Sequence, residues 1–160
     1  MVAFTYDENG SKLTTVDSRG TTSRTYNALG WLASITTPDN QTVAYAYNAT
    51  GARSQLTYPD DREATYTYDD DGRLASVTGP ASDTTSYTYR TDGSLASTAL
   101  PNGITTTYGY DDAGRVVSIS HTRGSTLLSI SYTRDANGSP TVIDDSLAGQ
   151  STYSYDVLDQ

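Results

Sequence analysis

A glycine returns along this chain on a nearly fixed count. The unit Tyr-Asp/Asn-x-x-Gly, or a near copy, ends at Gly10, Gly30, Gly51, Gly72, Gly93 and Gly114, giving spacings of 20, 21, 21, 21 and 21 residues. Its leading residues are Tyr6-Asp7, Tyr26-Asn27, Tyr47-Asn48, Tyr68-Asp69, Tyr89-Arg90 and Tyr110-Asp111. A degenerate copy, Arg134-Asp135-Ala136-Asn137-Gly138, follows after three extra residues, and another opens at Tyr155-Asp156 with Asp159 where glycine is expected. A period of this size marks a chain built from one supersecondary unit laid beside copies of itself. Residues 1–160 therefore read as a single repeat array.

Within the unit, a small or basic residue follows the glycine and leucine usually comes next, as in Lys12-Leu13, Trp31-Leu32, Arg73-Leu74, Ser94-Leu95 and Arg115-Val116. An aliphatic returns three residues on, at Val16, Ile35, Leu56, Val77, Ile119 and Ile143. A second turn signal follows, such as Pro59-Asp60-Asp61 or Pro101-Asn102-Gly103, and the unit closes on alternating threonine and tyrosine. Two strand-length runs and two turns per unit predict one β-hairpin per repeat. The Asp or Asn after tyrosine suits an Asx-bonded turn, and the glycine supplies the positive φ that reverses the chain. Neighbouring hairpins pair into a continuous antiparallel, curved sheet of about 15 strands, some 70 Å long and about 20 Å wide at ordinary strand spacing. Tyrosines two apart, such as Tyr66 and Tyr68, share a face. Leu74 and Val77 are an odd number apart, so either both faces carry apolar groups or a bulge re-aims one of them.

Composition supports the all-β reading and removes other classes. Of the aromatic residues 14 are tyrosine, against one tryptophan and one phenylalanine, and lysine occurs only at Lys12. Tyrosine and threonine favour strands. With no cysteine there is neither a disulfide framework nor a thiolate metal site. No apolar run approaches the roughly 20 residues of a membrane span, and the start lacks the layout of a signal peptide. A net charge of −9 argues against nucleic acid as a partner.

Chemistry has few candidates. A Ser-His arrangement exists only around His121 with Ser118 and Ser120, and a polar strand-end residue accounts for that histidine equally. The aspartates fall at the repeated turn positions, which explains them as turn formers rather than acid pairs. Asp69-Asp70-Asp71-Gly72, Asp111-Asp112 and Asp144-Asp145 lack the ligand spacing of a calcium loop. No catalytic residue, metal or cofactor is expected. The tyrosine rows suit packing, and Trp31, standing where other units have a basic or small residue, is the one candidate for stacking on a ligand. The triplets Asn40-Gln41-Thr42 and Asn48-Ala49-Thr50 match glycan acceptors.

Asp69-Asp70-Asp71-Gly72-Arg73-Leu74, and Pro101-Asn102-Gly103-Ile104 through Tyr110-Asp111-Asp112-Ala113-Gly114-Arg115-Val116, closely resemble the YD-repeat (RHS-repeat) family. That family includes bacterial Rhs polymorphic toxins, wall-associated proteins, the cocoon-forming subunits of Tc insecticidal toxins, and animal teneurins. The resemblance implies a hairpin ribbon wound into a hollow β-shell, which encloses a C-terminal effector in the toxin branches. Bacterial shells end in a self-cleaving aspartyl protease segment; this chain shows none and ends inside a unit, as a fragment of a longer array or an unusual short protein would. The expected function is a non-catalytic stretch of shell wall around a toxin or other cargo, in a secreted or cell-surface bacterial protein. Its partners would be further repeats, or other copies pairing at the sheet edge, and an enclosed effector. The alternative is a cell-surface adhesion or carbohydrate-binding module that assembles edge to edge into a fibre.

Overall fold

The structure, a computed structural model, describes residues 1–156; Asp159 lies outside them. Fifteen strands and no helix occur among the described residues. They fall into two compact units, Met1–Asp83 and a second that begins at Thr84.

The first unit holds β1 (Ala3–Tyr6), β2 (Lys12–Asp17), β3 (Gly20–Tyr26), β4 (Leu32–Thr36), β5 (Thr42–Tyr47), β6 (Arg53–Thr57), β7 (Glu63–Tyr68) and β8 (Leu74–Thr78). The second holds β9 (Thr84–Tyr89), β10 (Leu95–Ala99), β11 (Thr105–Tyr110), β12 (Val116–Arg123), β13 (Ser125–Arg134), β14 (Pro140–Asp145) and β15 (Gly149–Thr152). Within each unit every strand pairs antiparallel with the next in sequence, so both are plain meanders. The anchor turns, Tyr-Asp/Asn-x-x-Gly, reverse the chain at one side, and return turns such as Thr37–Gln41 reverse it at the other.

A bulge recurs at one place in each repeat, and it answers the question of faces. Tyr68 pairs with Leu74 and Thr67 with Ser76, which leaves Ala75 as the extra residue. Because directly opposed residues share a face, Leu74 opposite Tyr68 and Val77 opposite Tyr66 stand on the tyrosine side together. The same slip follows Tyr6, Tyr26, Tyr47, Tyr89, Tyr110 and Arg134. Each inserted residue shifts the strand's alternation by one, so apolar groups three apart meet on one side.

The bulge also corrects the alignment of the first repeat. Lys12, not Leu13, pairs with Tyr6, and Thr15, not Val16, pairs with Phe4. Leu13 is the inserted residue there, Lys12 rests its ammonium 4.4 Å from the centre of the Phe4 ring, and Val16 is left exposed. The 20-residue first spacing comes from a shorter return turn, where Asp17 pairs with Gly20 directly.

The two faces differ in chemistry. The tyrosine face carries cross-strand pairs such as Tyr45 with Leu56, Tyr66 with Val77 and Tyr108 with Ile119. Arg53 adds its guanidinium 4.6 Å from the Tyr66 ring centre, and Arg90 lies 5.1 Å from that of Tyr110. The other face is a series of hydroxyl pairs: Thr5 with Thr14 at 2.6 Å, and Thr25 with Ser34, Thr67 with Ser76 and Thr88 with Ser97 at 2.7 Å. Burial is shallow, with Ala64 the buried apolar residue and Thr106 the buried polar one among the described residues. A sheet with no second layer leaves even its better-covered face half open.

Candidate functional site

The functional geometry is distributed rather than gathered in a cleft, and it centres on the last tyrosine of each repeat. The hydroxyl of Tyr26 donates to the Lys12 carbonyl at 2.9 Å, Tyr47 to Leu32 at 2.9 Å, and Tyr68 to Arg53 at 2.8 Å. Tyr110 donates to Leu95 at 2.9 Å and Tyr155 to Pro140 at 2.7 Å. Each acceptor is the residue that opens the bulge on the neighbouring strand, where the regular ladder is interrupted. The tyrosine therefore does two things at once: its backbone faces the bulge of its own hairpin, and its hydroxyl supplies a donor to the bulge before it. Phenylalanine would fill the same space and leave that carbonyl without its donor.

One repeat replaces the tyrosine and keeps the bond. Arg134 occupies the position, and its Nη2 donates to the Val116 carbonyl at 2.9 Å while Nη1 donates to the Gly138 carbonyl at 3.0 Å. Sequence reasoning missed this tie because the acceptors are main-chain atoms on residues as unlike as Lys12, Leu32 and Pro140. The usable signal was the persistence of tyrosine, never phenylalanine, in front of the turn.

The anchor turns are held by the residue after the tyrosine. Asp7 Oδ1 accepts the amides of Asn9 and Ser11 at 3.0 and 2.8 Å, and Asn27 does the same for Leu29 and Trp31 at 3.0 and 2.9 Å. Asn48, Asp69 and Asp111 repeat the arrangement, and Asp135 accepts the Ser139 amide at 2.9 Å. Where Arg90 stands in that place, Asp92 accepts the Ser94 amide at 2.8 Å instead. The glycines Gly10, Gly30, Gly51, Gly72, Gly93, Gly114 and Gly138 all adopt positive φ. In the return turns that conformation falls on Asn40, Asp61, Ser82 and Gly103. Tyr6 ends the first strand with its side chain exposed, Tyr89 pairs with Leu95 beside its bulge, and Asp156 follows Tyr155 at the end of the described chain.

These contacts set the charge state of the turn carboxylates. The Arg115 amide, then its guanidinium at 2.7 Å, hold the Asp111 carboxyl below its ordinary range. At Asp69 partial desolvation pushes upward, but the Arg73 amide and guanidinium outweigh it and the net shift is downward. Asp17 is lowered by the Arg19 amide, Asp60 by the Arg62 guanidinium, Asp92 by the Ser94 hydroxyl and Asp145 by the Ala148 amide.

Trp31 is engaged within the fold. Its ring lies 5.3 Å from that of Tyr47, tilted by 56°, and over Gly51 of the following anchor turn.

A hairpin of about 21 residues, a bulge beside each anchor turn and a recurring side-chain tie to the bulge before it form a specific combination. The teneurin YD-shell family matches residues 1–92, and the RHS repeat family matches residues 91–126. The chain belongs to the teneurin YD-shell family. Solved structures share the fold. The crystal structure of TcdB2-TccC3-TEV superposes with a TM-score of 0.79 at 20% identity, over 100% of this chain and 10% of that one. TcdB2-TccC3 gives 0.76 at 19% identity, over 98% and 10%. The Photorhabdus luminescens Tc holotoxin pore gives 0.62 at 17% identity, over 99% and 12%. This YD-shell segment thus spans about a tenth of the length of the solved chains it matches. No curated protein matches the chain.

Inside the YD-shell repeats, the histidine considered from sequence has a structural partner. His121 Nδ1 lies 2.9 Å from the hydroxyl of the buried Thr106, its cross-strand neighbour. Ser118 and Ser120 project to the opposite face of β12, so the sheet separates them from the imidazole. Of the acid runs, Asp69 and Asp71 are both paired with Arg73, and among the described residues no three His, Asp or Glu side chains converge as a metal site requires.

Proposed function

We propose that this chain is a non-catalytic length of shell wall, and that in its parent protein the wall encloses a toxin or other polypeptide cargo in a secreted or cell-surface bacterial setting. The observation that carries the reading is the recurring tie from Tyr26, Tyr47, Tyr68, Tyr110, Arg134 and Tyr155, which fixes one hairpin to its predecessor through a main-chain carbonyl. Shallow burial supports it: among the described residues Ala64 and Thr106 are the buried ones, so the tyrosine face has area left for more wall or for contents to cover. The solved chains it resembles are about ten times longer, which supplies the wall.

The test uses the longest natural chain that carries these repeats, with a protease added and the segment outside the repeats followed by mass spectrometry. Enclosure predicts that segment survives while the repeats are intact and is degraded once they are unfolded, with a hollow particle in electron micrographs. Degradation at the same rate in both states, or open filaments, overturns it. Adhesion through Trp31 has weaker support, since the ring is already packed on Tyr47 and Gly51. Trp31→Ala is expected to lower stability by about 1–2 kcal/mol through lost packing and to leave any sugar-binding isotherm unchanged.

A further inference from the structure

Two successive anchor turns, at Gly30 and Gly51, share one design and differ in what lies over them. Each is closed by an asparagine, Asn27 or Asn48, and each follows a tyrosine, Tyr26 or Tyr47, whose hydroxyl is tied to the strand before. Over Gly51 lies the indole of Trp31, the residue after the preceding anchor glycine, with Cζ2 3.0 Å and Cη2 3.2 Å from the place a Cβ on Gly51 would take. One repeat earlier the matching residue is Ser11, and nothing lies within 4 Å of the Cβ position on Gly30. In place of an indole there is a groove of about 600 Å³, with Ser11, Tyr26 and Gly30 in its wall. These are the positions that Trp31, Tyr47 and Gly51 hold in the next repeat.

The rest of the wall suits an aromatic ring. Leu29, directly before the glycine, is 69% exposed, where the other anchor turns place Asn9, Thr50, Asp71, Asp92, Ala113 and Asn137. Leu13, the inserted residue of the first bulge, lines the groove as well. A lone exposed leucine is ordinary; two lining a groove whose counterpart holds an indole point to an apolar occupant. Arg24, also in the wall, donates to Thr15 Oγ1 at 3.2 Å and forms no ion pair among the described residues. A guanidinium attracts the face of an aromatic ring, and indole is the strongest such partner. The turns at Gly72 and Gly114 lack these features, since their aspartates hold Arg73 and Arg115, and Asp71 and Ala113 stand in the place of Leu29. We propose that the groove over Gly30 receives an aromatic side chain, best an indole, from a partner polypeptide, seated as Trp31 is seated over Gly51. Asp7 also lines the groove and disfavours an acidic occupant. The groove is complete within the first unit and does not depend on the chain enclosing anything.

Amide NMR of the 160-residue chain, titrated with acetyl-tryptophan amide and separately with acetyl-leucine amide, tests it. Expected are saturable shifts of the Leu29 and Gly30 amides with the tryptophan probe, a weaker response to the leucine probe, and none at Gly51. Ser11→Trp supplies the ring from the chain itself, so the probe's affinity at Gly30 should fall at least about tenfold. Trp31→Ser should empty the neighbouring seat, so that the Gly51 amide begins to respond to the same probe. Either variant decides the matter if the other fails to fold. No saturable shift at Gly30, an equal response to leucine, or responses that the substitutions leave unchanged would each overturn the proposal. So would the same shifts on concentrating the chain alone, since a second copy would then be the occupant.

Discussion

The hairpins from β3 to β11 keep strictly to 21 residues and use strands of five to seven, whereas β12 and β13 run to eight and ten. The extra length lies on the return side, where Arg123 pairs with Ser125 across Gly124. On the anchor side the long hairpin and its successor are unchanged: Val116 and Pro140 open bulges opposite Tyr110 and Arg134, as Leu74 does opposite Tyr68. Even the loss of tyrosine is absorbed, since a guanidinium reaches the carbonyl that a phenol reaches elsewhere. Length and side-chain identity vary, whereas the bulge recurs, with a donor aimed at it from Tyr26, Tyr47, Tyr68, Tyr110, Arg134 and Tyr155. What makes a repeat here is a main-chain arrangement.

Arg134→Leu should strike this comparison hardest, because it removes donors from two carbonyls at once. A loss of about 3 kcal/mol is expected in chemical denaturation, given charge-assisted bonds of this kind. Arg134→Tyr separates the bond from the charge: recovery to within about 1 kcal/mol of the parent shows that the donor is what counts, and no recovery breaks the equivalence. In a regular hairpin, Tyr47→Phe should cost about 1 kcal/mol, and the same change at Tyr6, which ends the first strand, should be silent. Asn48→Ala, which strips the acceptor from an anchor turn, should cost a similar amount or less, about 0.5–1 kcal/mol by analogy with helix caps.

Acid gives the smallest and most selective effect. Asp17, Asp60, Asp69, Asp92, Asp111 and Asp145 have folded-state pKa values below their unfolded value of about 3.9. Their contribution is complete above that value and is lost as pH falls through the folded pKa. Melting temperature should stay level from pH 7 to about 5 and drop below about 4. Exchange protection of the Arg73 and Arg115 amides, held by aspartate, should fail before that of Ala52, held by Asn48. Simultaneous loss at all three would erase the distinction between the two kinds of turn.

Much of this was open to reading in the sequence, and the physics of each level explains the rest. The period, the hairpins and the shared face of Tyr66 and Tyr68 follow from turn chemistry and strand alternation. The bulge did not, because alternation alone permits either a bulge or two apolar faces. For the same reason Leu13 and Val16 invited an alignment one residue late. Trp31 and Arg115 stood in plain view at a small-or-basic position, but nothing in residue identity says that their side chains reach Gly51 and Gly138 of the next anchor turn. The hydroxyl ties were hidden because a carbonyl acceptor leaves no trace in residue identity.

Those ties also run in a single direction along the polypeptide. Every acceptor on the preceding hairpin comes before its donor, by 14 or 15 residues for the tyrosines and 18 for Arg134. A nascent chain leaving the ribosome has thus already delivered each docking point when the group that needs it emerges. The sheet can be laid course upon course during translation, without waiting for its far end.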